Sequence, residues 1–228
     1  MTYGGLPRDT IGYLRGLAAH NDRDWFEGHR ADYAAHWLGA GLDLVAALSG
    51  PCAALQPPLM AVPKLNASLR RINRDVRFSK DKRPYEPRLH LILSTGPAFN
   101  KVPGVHLVID GDGLGYGAGH YGFAPEGLER YRRAMADPAR RQGFEAMLAM
   151  AGKVGAVLDA PDLMRVPKGF EVADWDGLIL RKSVIVRTPR PMDHPDWLFG
   201  DVAVTHLMGI VIALAPVAQF LCLFGQAG

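Results

Sequence analysis

Cysteine is scarce in this chain: Cys52 and Cys222 are the only two among 228 residues. Two thiols supply neither a disulfide framework nor a cysteine-rich zinc site, so the expectation is a reduced, cytoplasmic protein. The N-terminal MTYGGLPRDT lacks the basic start and apolar run of a signal peptide. Net charge is small, +3, so the charge of the whole chain does not argue for nucleic acid. No segment repeats at a fixed period and no linker separates two compositions, which implies one domain over residues 1–228. What is present is ordinary globular composition, 48% hydrophobic and 21% charged, which excludes a disordered tail protein. The 26 glycines and 17 prolines point to many turns.

Hydrophobic spacing orders the chain as helices, then strands, then helices. Ile11, Leu14 and Leu17 predict a helix capped at Asp9 or Thr10 and running through Ala19. A second helical region starts at Asn21 or Asp22, carries Trp25, Phe26, Tyr33 and Trp37, and continues through Leu42, Val45 and Leu48. Ser49-Gly50-Pro51 is read as its stop. Leu89 to Leu93, Val105 to Ile109 and Leu114 to His120 read as strands, with Asp110-Gly111-Asp112-Gly113 as a hairpin turn using positive φ. Helical spacing returns after Pro125, with Leu128, Tyr131 and Met135 on one face. It breaks at Asp137-Pro138 and resumes with Phe144, Met147 and Leu148. Val184 to Arg187 is a short strand. This order predicts an α+β fold with N-terminal helices, a largely antiparallel central sheet and C-terminal helices.

From Val202 to Phe224 the chain has 23 residues without a formal charge, long enough to span a bilayer. His206, Gln219, Pro216 and the lack of flanking cations argue against a span. The better reading is a buried helix interrupted at Pro216, or one buried in a homodimer interface.

Charge is concentrated from Lys64 to His90, KLNASLRRINRDVRFSKDKRPYEPRLH. Nine cations against three anions give this segment +6, which leaves the rest of the chain at −3. Such clustering attracts anions, and arginine grips carboxylate or phosphate with a planar fork of donors. The bland alternative is a solvated run of charge. Asp75 and Asp81, set among the cations, predict ion pairs that fix arginines in place. Phe78, Pro84 and Tyr85 predict an ordered loop, with Arg83 extended because a proline follows it.

This segment also carries a resemblance. Arg71-Ile72, Arg74-Asp75-Val76-Arg77-Phe78-Ser79-Lys80-Asp81-Lys82 and Pro84-Tyr85 resemble the signature of the domain-of-unknown-function family 2461. Asn21-Asp22-Arg23-Asp24-Trp25-Phe26 with Tyr33 is similar to that family's N-terminal block. Gly117-Ala118-Gly119, Pro125-Glu126 and Leu128 are similar to its glycine-rich strand and following helix. Pro167-Lys168-Gly169-Phe170, Leu180 and Lys182-Ser183 are similar to its C-terminal block. Glu86 departs from a common lysine, and Asp174-Trp175 from a usual His-Pro. The resemblance implies a family and no reaction.

Other motifs fail on context. Gly117-Ala118-Gly119-His120-Tyr121-Gly122 fits the dinucleotide pattern literally, but glycine alternates from Gly111 with a period of two. That period suggests a strand with a bare face where backbone or ligand approaches closely. Ser79-Lys80-Asp81-Lys82 fits S-x-x-K without the partner motifs of a serine acyl-enzyme. His29 and His36 lack zinc spacing, and His90, His106 and His120 sit on separate strands that can converge on one sheet face. No metal and no cofactor is expected.

The leading expectation is an anion pocket built from the Arg74-to-Lys82 loop and the glycine-faced strand. Its ligand, a small molecule bearing phosphate or carboxylate, would be held by Arg71, Arg74, Arg77, Lys80 and Lys82, with Asp75, Asp81 and Tyr85 as orienting groups. A catalytic version would stabilise negative charge through Arg74, Arg77, Lys80 and Lys82, with Asp75 or Asp81 as orienter or base. A nucleic-acid module stacking bases on Phe78 and Tyr85 is the second reading, less favoured because one compact basic segment suits a pocket better than a track. An assembly domain pairing through the apolar C-terminal helix is the third.

Overall fold

The computed structural model describes residues 3–99, 101–170 and 177–225. Helix α1 spans Arg8–Ala19 and α2 spans Arg23–Gly28. A single turn at Arg30–Asp32 and a π-helical stretch, Tyr33–Gly39, lead into α3, Ala40–Ala53. Strands β1 (Arg88–Ser94), β2 (Gly104–Asp110) and β3 (Leu114–His120) follow. Helices α4 (Pro125–Ala136) and α5 (Pro138–Gly152) come next, then β4 (Val157–Leu158) and β5 (Val184–Arg187). A 3-10 turn at Asp196–Phe199 precedes the last helix, α6, Ala203–Cys222. The sheet order is β1-β2-β3-β5-β4, and β5 runs antiparallel to both β3 and β4. This is the expected α+β class.

Helix termini differ from the sequence reading where side chains have other work. Asp22 caps α2, its Oδ1 accepting from Trp25 N–H at 2.8 Å. Neither Asp9 nor Thr10 caps α1, which starts after Pro7. Thr10 is buried instead, and Asp9 sits in the first turn, where a negative charge suits the helix dipole. The stop at Ser49-Gly50-Pro51 does not occur. Proline sits in the final turn of α3, and Ala54 N–H closes on Gly50 C=O at 3.1 Å beyond it. Helix α6 likewise runs through Pro216 without a break. Val211, Leu214, Ala215, Val217 and Ala218 around it are buried, and that packing offsets one missing backbone hydrogen bond. Burial of α6 is incomplete, since Val202 before it and Ile212 within it are exposed.

The hairpin at residues 110–113 also closes by another route. No positive φ is used there. Asp110 Oδ1 accepts from the N–H groups of Asp112 and Gly113 at 2.9 and 3.0 Å, a side-chain turn in place of a left-handed one.

Contacts gather the described residues into two compact units. The first draws on Met1–Leu93, His106–Gly115 and Arg190–Gly209, the second on Ser94–Val105, Tyr116–Pro189 and Ile210–Gly228. The first has a core of Leu14, Leu17, Trp37, Leu44, Leu48, Leu69, Leu89 and Leu91. A Cβ at Gly41 would meet the Leu69 and Leu89 side chains at 3.0 Å, so glycine there lets α3 lie close against that core. Trp37 Nε1 donates to Arg88 C=O at 3.1 Å, which anchors the start of β1 to the helical layer. The second unit buries Tyr131, Met135, Phe144, Val184, Val186, Leu214 and Leu221. Within it, Tyr116 O–H donates to Val154 C=O at 2.6 Å.

Candidate functional site: an arginine-lined cavity

The basic segment is held by backbone pairing before any charge acts. Ile92 N–H donates to Ser68 C=O at 2.8 Å and Arg70 N–H to His90 C=O at 3.0 Å, which lays residues 68–70 along β1. Further on, Glu86 N–H donates to Ile72 C=O at 2.8 Å and Arg74 N–H to Pro84 C=O at 2.9 Å. Residues 75–83 are therefore the tip of an irregular hairpin. Its base is fixed from outside by Asn21, whose side chain bonds both the N–H and the C=O of Tyr85.

Inside the tip, ion pairs set the geometry. Arg74 Nη1 reaches Asp81 Oδ2 at 2.9 Å and Arg83 C=O at 2.8 Å, while its Nε lies 3.2 Å from Glu86 Oε1. Asp81 also takes the Arg83 guanidinium at 2.8 Å and the Arg83 backbone N–H at 3.0 Å. These bonds, those of Arg83 first, hold the Asp81 carboxyl well below the usual carboxylate range. Asp75 binds Arg77 through its Nη2 at 2.7 Å and Nε at 3.0 Å. That pair is exposed, with 47% of the Asp75 side chain and 76% of Arg77 open to solvent. Lys82 Nζ donates to Val76 C=O at 3.0 Å.

A cavity of about 370 Å³ opens beside this scaffold. Its cations are Arg70, Arg71, Arg74 and Arg88, its anions Asp75 and Glu86, and Asn73, Ser79 and His90 complete the lining. The lining thus carries a formal +2 with histidine neutral. Arg74 and Arg88 are both tied to Glu86. Arg70 and Arg71 form no ion pair among the described residues. His90 Nε2 lies 2.8 Å from His106 Nδ1, and burial, with Arg70 adding to it, pushes both imidazoles down, to about 2 and about 4.

The expected site residues divide accordingly. Arg71, Arg74 and Asp75 line the cavity. Arg77, Lys80, Lys82 and Asp81 lie in the tip outside its lining, three of these four held by the contacts above. Tyr85 is buried and stacks on Phe26 with ring centroids 4.4 Å apart, so it offers no face to a base or a ligand. The glycine-faced strand is no wall of this cavity. A Cβ at Gly117 would collide with Val186 C=O at 2.6 Å, and one at Gly119 with Val184 C=O; the close approach is that of strand β5. His120 packs edge-on against Phe123 and does not join the other two histidines. Sequence reasoning missed Arg70, Arg88, Asn73 and His90 as lining groups. The alternation of β1 carried a signal for two of them, since residues 88 and 90 share one face of a strand. Among the described residues no group of three or more His, Cys, Asp or Glu is placed to hold a metal.

Comparison with known proteins adds a family. The model for a conserved hypothetical protein (DUF2461) matches residues 9–220. No curated protein and no solved structure matches the chain. The departure at Asp174-Trp175 lies outside the described residues.

Proposed function

The chain belongs to the DUF2461 family of conserved hypothetical proteins, and from that premise we propose that its basic segment builds a binding site for a small molecule bearing phosphate or carboxylate. One observation carries the reading: in a cavity of formal +2, Arg70 and Arg71 form no salt bridge among the described residues, and Arg71 acts on Asp75 only through its charge. Cations lining one cavity raise its potential, and a bound oxyanion lowers it while accepting forked hydrogen bonds. The other arginines are locked by Asp75, Asp81 and Glu86, so the site is preorganised.

The nucleic-acid alternative retains Phe78, 96% exposed at the tip, and loses Tyr85 to the core. A second, larger cavity of about 820 Å³, lined in part by Arg130, Arg133, Arg140 and Phe220, has no residue of the basic segment in its lining. Homodimer formation through α6 draws support from the exposed Ile212. Both cysteines are unbridged and burial pushes the Cys52 thiol up to about 11, which suits a cytoplasmic setting. The test is calorimetric titration at low salt with inorganic phosphate, sugar phosphates, nucleotides and dicarboxylates. Binding that vanishes in Arg71→Gln supports the reading. Binding to none of these anions, or binding indifferent to that substitution, overturns it.

A further inference from the structure

Two histidines unused by the anion reading stand against the same cavity. His90 lines it from β1, and its Nε2 meets Nδ1 of His106 on β2 at 2.8 Å. At that distance one ring nitrogen carries a hydrogen and the other accepts it. The neutral pair can take one further proton on an outer nitrogen with this bond intact. A second added proton would set two N–H groups against each other or break the bond.

The charges acting on the pair come from both flanks. Arg70 of the basic segment bears on both rings, and Arg88 of β1 bears on His90. The two carboxylates of the lining are engaged by arginines, Asp75 by Arg77 with the charge of Arg71 acting on it, and Glu86 by Arg74 and Arg88. His90 and His106 are partly buried beside these cations, and among the described residues no acid acts on them to favour their charged form. An oxyanion seated on Arg70 and Arg71 reverses that situation. It cancels the field of the nearest cations and offers oxygen atoms that accept from an imidazolium.

We propose that the cavity is a proton-coupled oxyanion site, in which the His90–His106 pair takes up one proton when a phosphate- or sulfate-type group binds beside Arg70 and Arg71. The proton comes from solvent, one N–H bond forms, and the pair gains one positive charge. The inference rests on the anion-binding reading and deepens it. It narrows the ligand to tetrahedral oxyanions, which present enough oxygen atoms for two guanidinium forks and one imidazolium.

Inorganic sulfate is the probe, because it does not titrate between about pH 5 and pH 7, where an ordinary histidine does. Calorimetry in two buffers of different ionisation enthalpy reads the protons taken up per sulfate bound. The expected result is uptake approaching one proton near the acid end of that range, with sulfate affinity rising as pH falls, by at most about tenfold per pH unit. His90→Gln keeps an amide at the cavity wall, so the sulfate it binds is held more weakly, with proton uptake lost and a pH profile flatter than the parent's. His106→Gln does the same if it folds. In the parent protein, proton NMR of the imidazole rings reads the same event without any substitution: the single protonation of the pair, reported by both rings, moves to higher pH on adding sulfate. Sulfate bound with no proton uptake and a flat pH profile overturns the coupling and leaves the anion site standing. Failure of sulfate and phosphate to bind at any pH overturns both.

Discussion

The side chain of Asn21 holds the backbone of Tyr85 at both polar groups, Oδ1 accepting from its N–H at 3.0 Å and Nδ2 donating to its C=O at 2.9 Å. Asn21 lies just before α2, and Tyr85 closes the base of the basic hairpin. Two sequence blocks far apart in the chain are thus one structural unit. Asn21→Ala leaves two backbone groups without partners, so a loss of roughly 1–3 kcal/mol is expected. Denaturant unfolding measures it. An unchanged midpoint would show that the clamp does not hold the hairpin.

Scaffold and site separate by substitution. Arg74 holds Asp81, Glu86 and the Arg83 carbonyl, so Arg74→Gln lowers the melting temperature. Arg71 forms no salt bridge among the described residues, so Arg71→Gln leaves the melting temperature unchanged or raises it. It also removes the stabilisation that added phosphate gives the parent. Asp75→Asn changes the melting temperature little, because its pair with Arg77 is exposed and such pairs contribute little. Thermal scans with and without phosphate check all three, and equal unfolding of the three variants would contradict the division.

Acid lowers stability in two windows. Unfolded histidine takes a proton near about 6.5, whereas folded His90 and His106 are held down to about 2 and about 4. Below about pH 6.5 the unfolded chain therefore binds protons that the folded chain refuses, and stability falls as pH falls, by at most about 1.4 kcal/mol per pH unit for each histidine. Asp81 acts lower. Its folded value is depressed, so its contribution is present above the ordinary aspartate value and is lost as pH falls through the folded one. Urea midpoints from neutral pH down to about pH 4 check the histidine window, where His90→Gln flattens the slope. A parent profile already flat would contradict it.

Helix α6 carries Pro216 in its interior, where the backbone lacks one N–H donor. Pro216→Ala restores that donor, so a rise in the melting temperature is expected. A fall would mean that the ring's packing outweighs the missing bond.

Much of the fold was legible in local pattern. The bounds of β3 and β5 follow from Gly, Asp and β-branched residues, and the Asp137-Pro138 break from a cap followed by proline. Asp137 Oδ1 accepts from Arg140 N–H at 2.8 Å, as such a cap should. Strand β4 was not legible, because two residues carry no period. Pro216 misled because burial around it outweighs one lost hydrogen bond, and Pro51 because it sits in the last turn, two residues from the helix end. At the site, clustering of charge located the segment, yet it could not say which cations are spent on neighbours. Arg77 and Arg71 look alike in sequence, and only the fold shows Asp75 bonded to the first while the second, next to Arg70 in the chain, lines the cavity with no salt bridge among the described residues. His106 needed the pairing of two strands to meet His90.

The most direct test of the account is titration of inorganic phosphate, at low salt, into the parent protein, Arg71→Gln and Arg77→Gln. Saturable binding to the parent, retained in Arg77→Gln and abolished in Arg71→Gln, is the predicted result. Equal loss in both variants, or weak binding equal in all three, would place the phosphate on the exposed tip or nowhere specific and would contradict the cavity as the site.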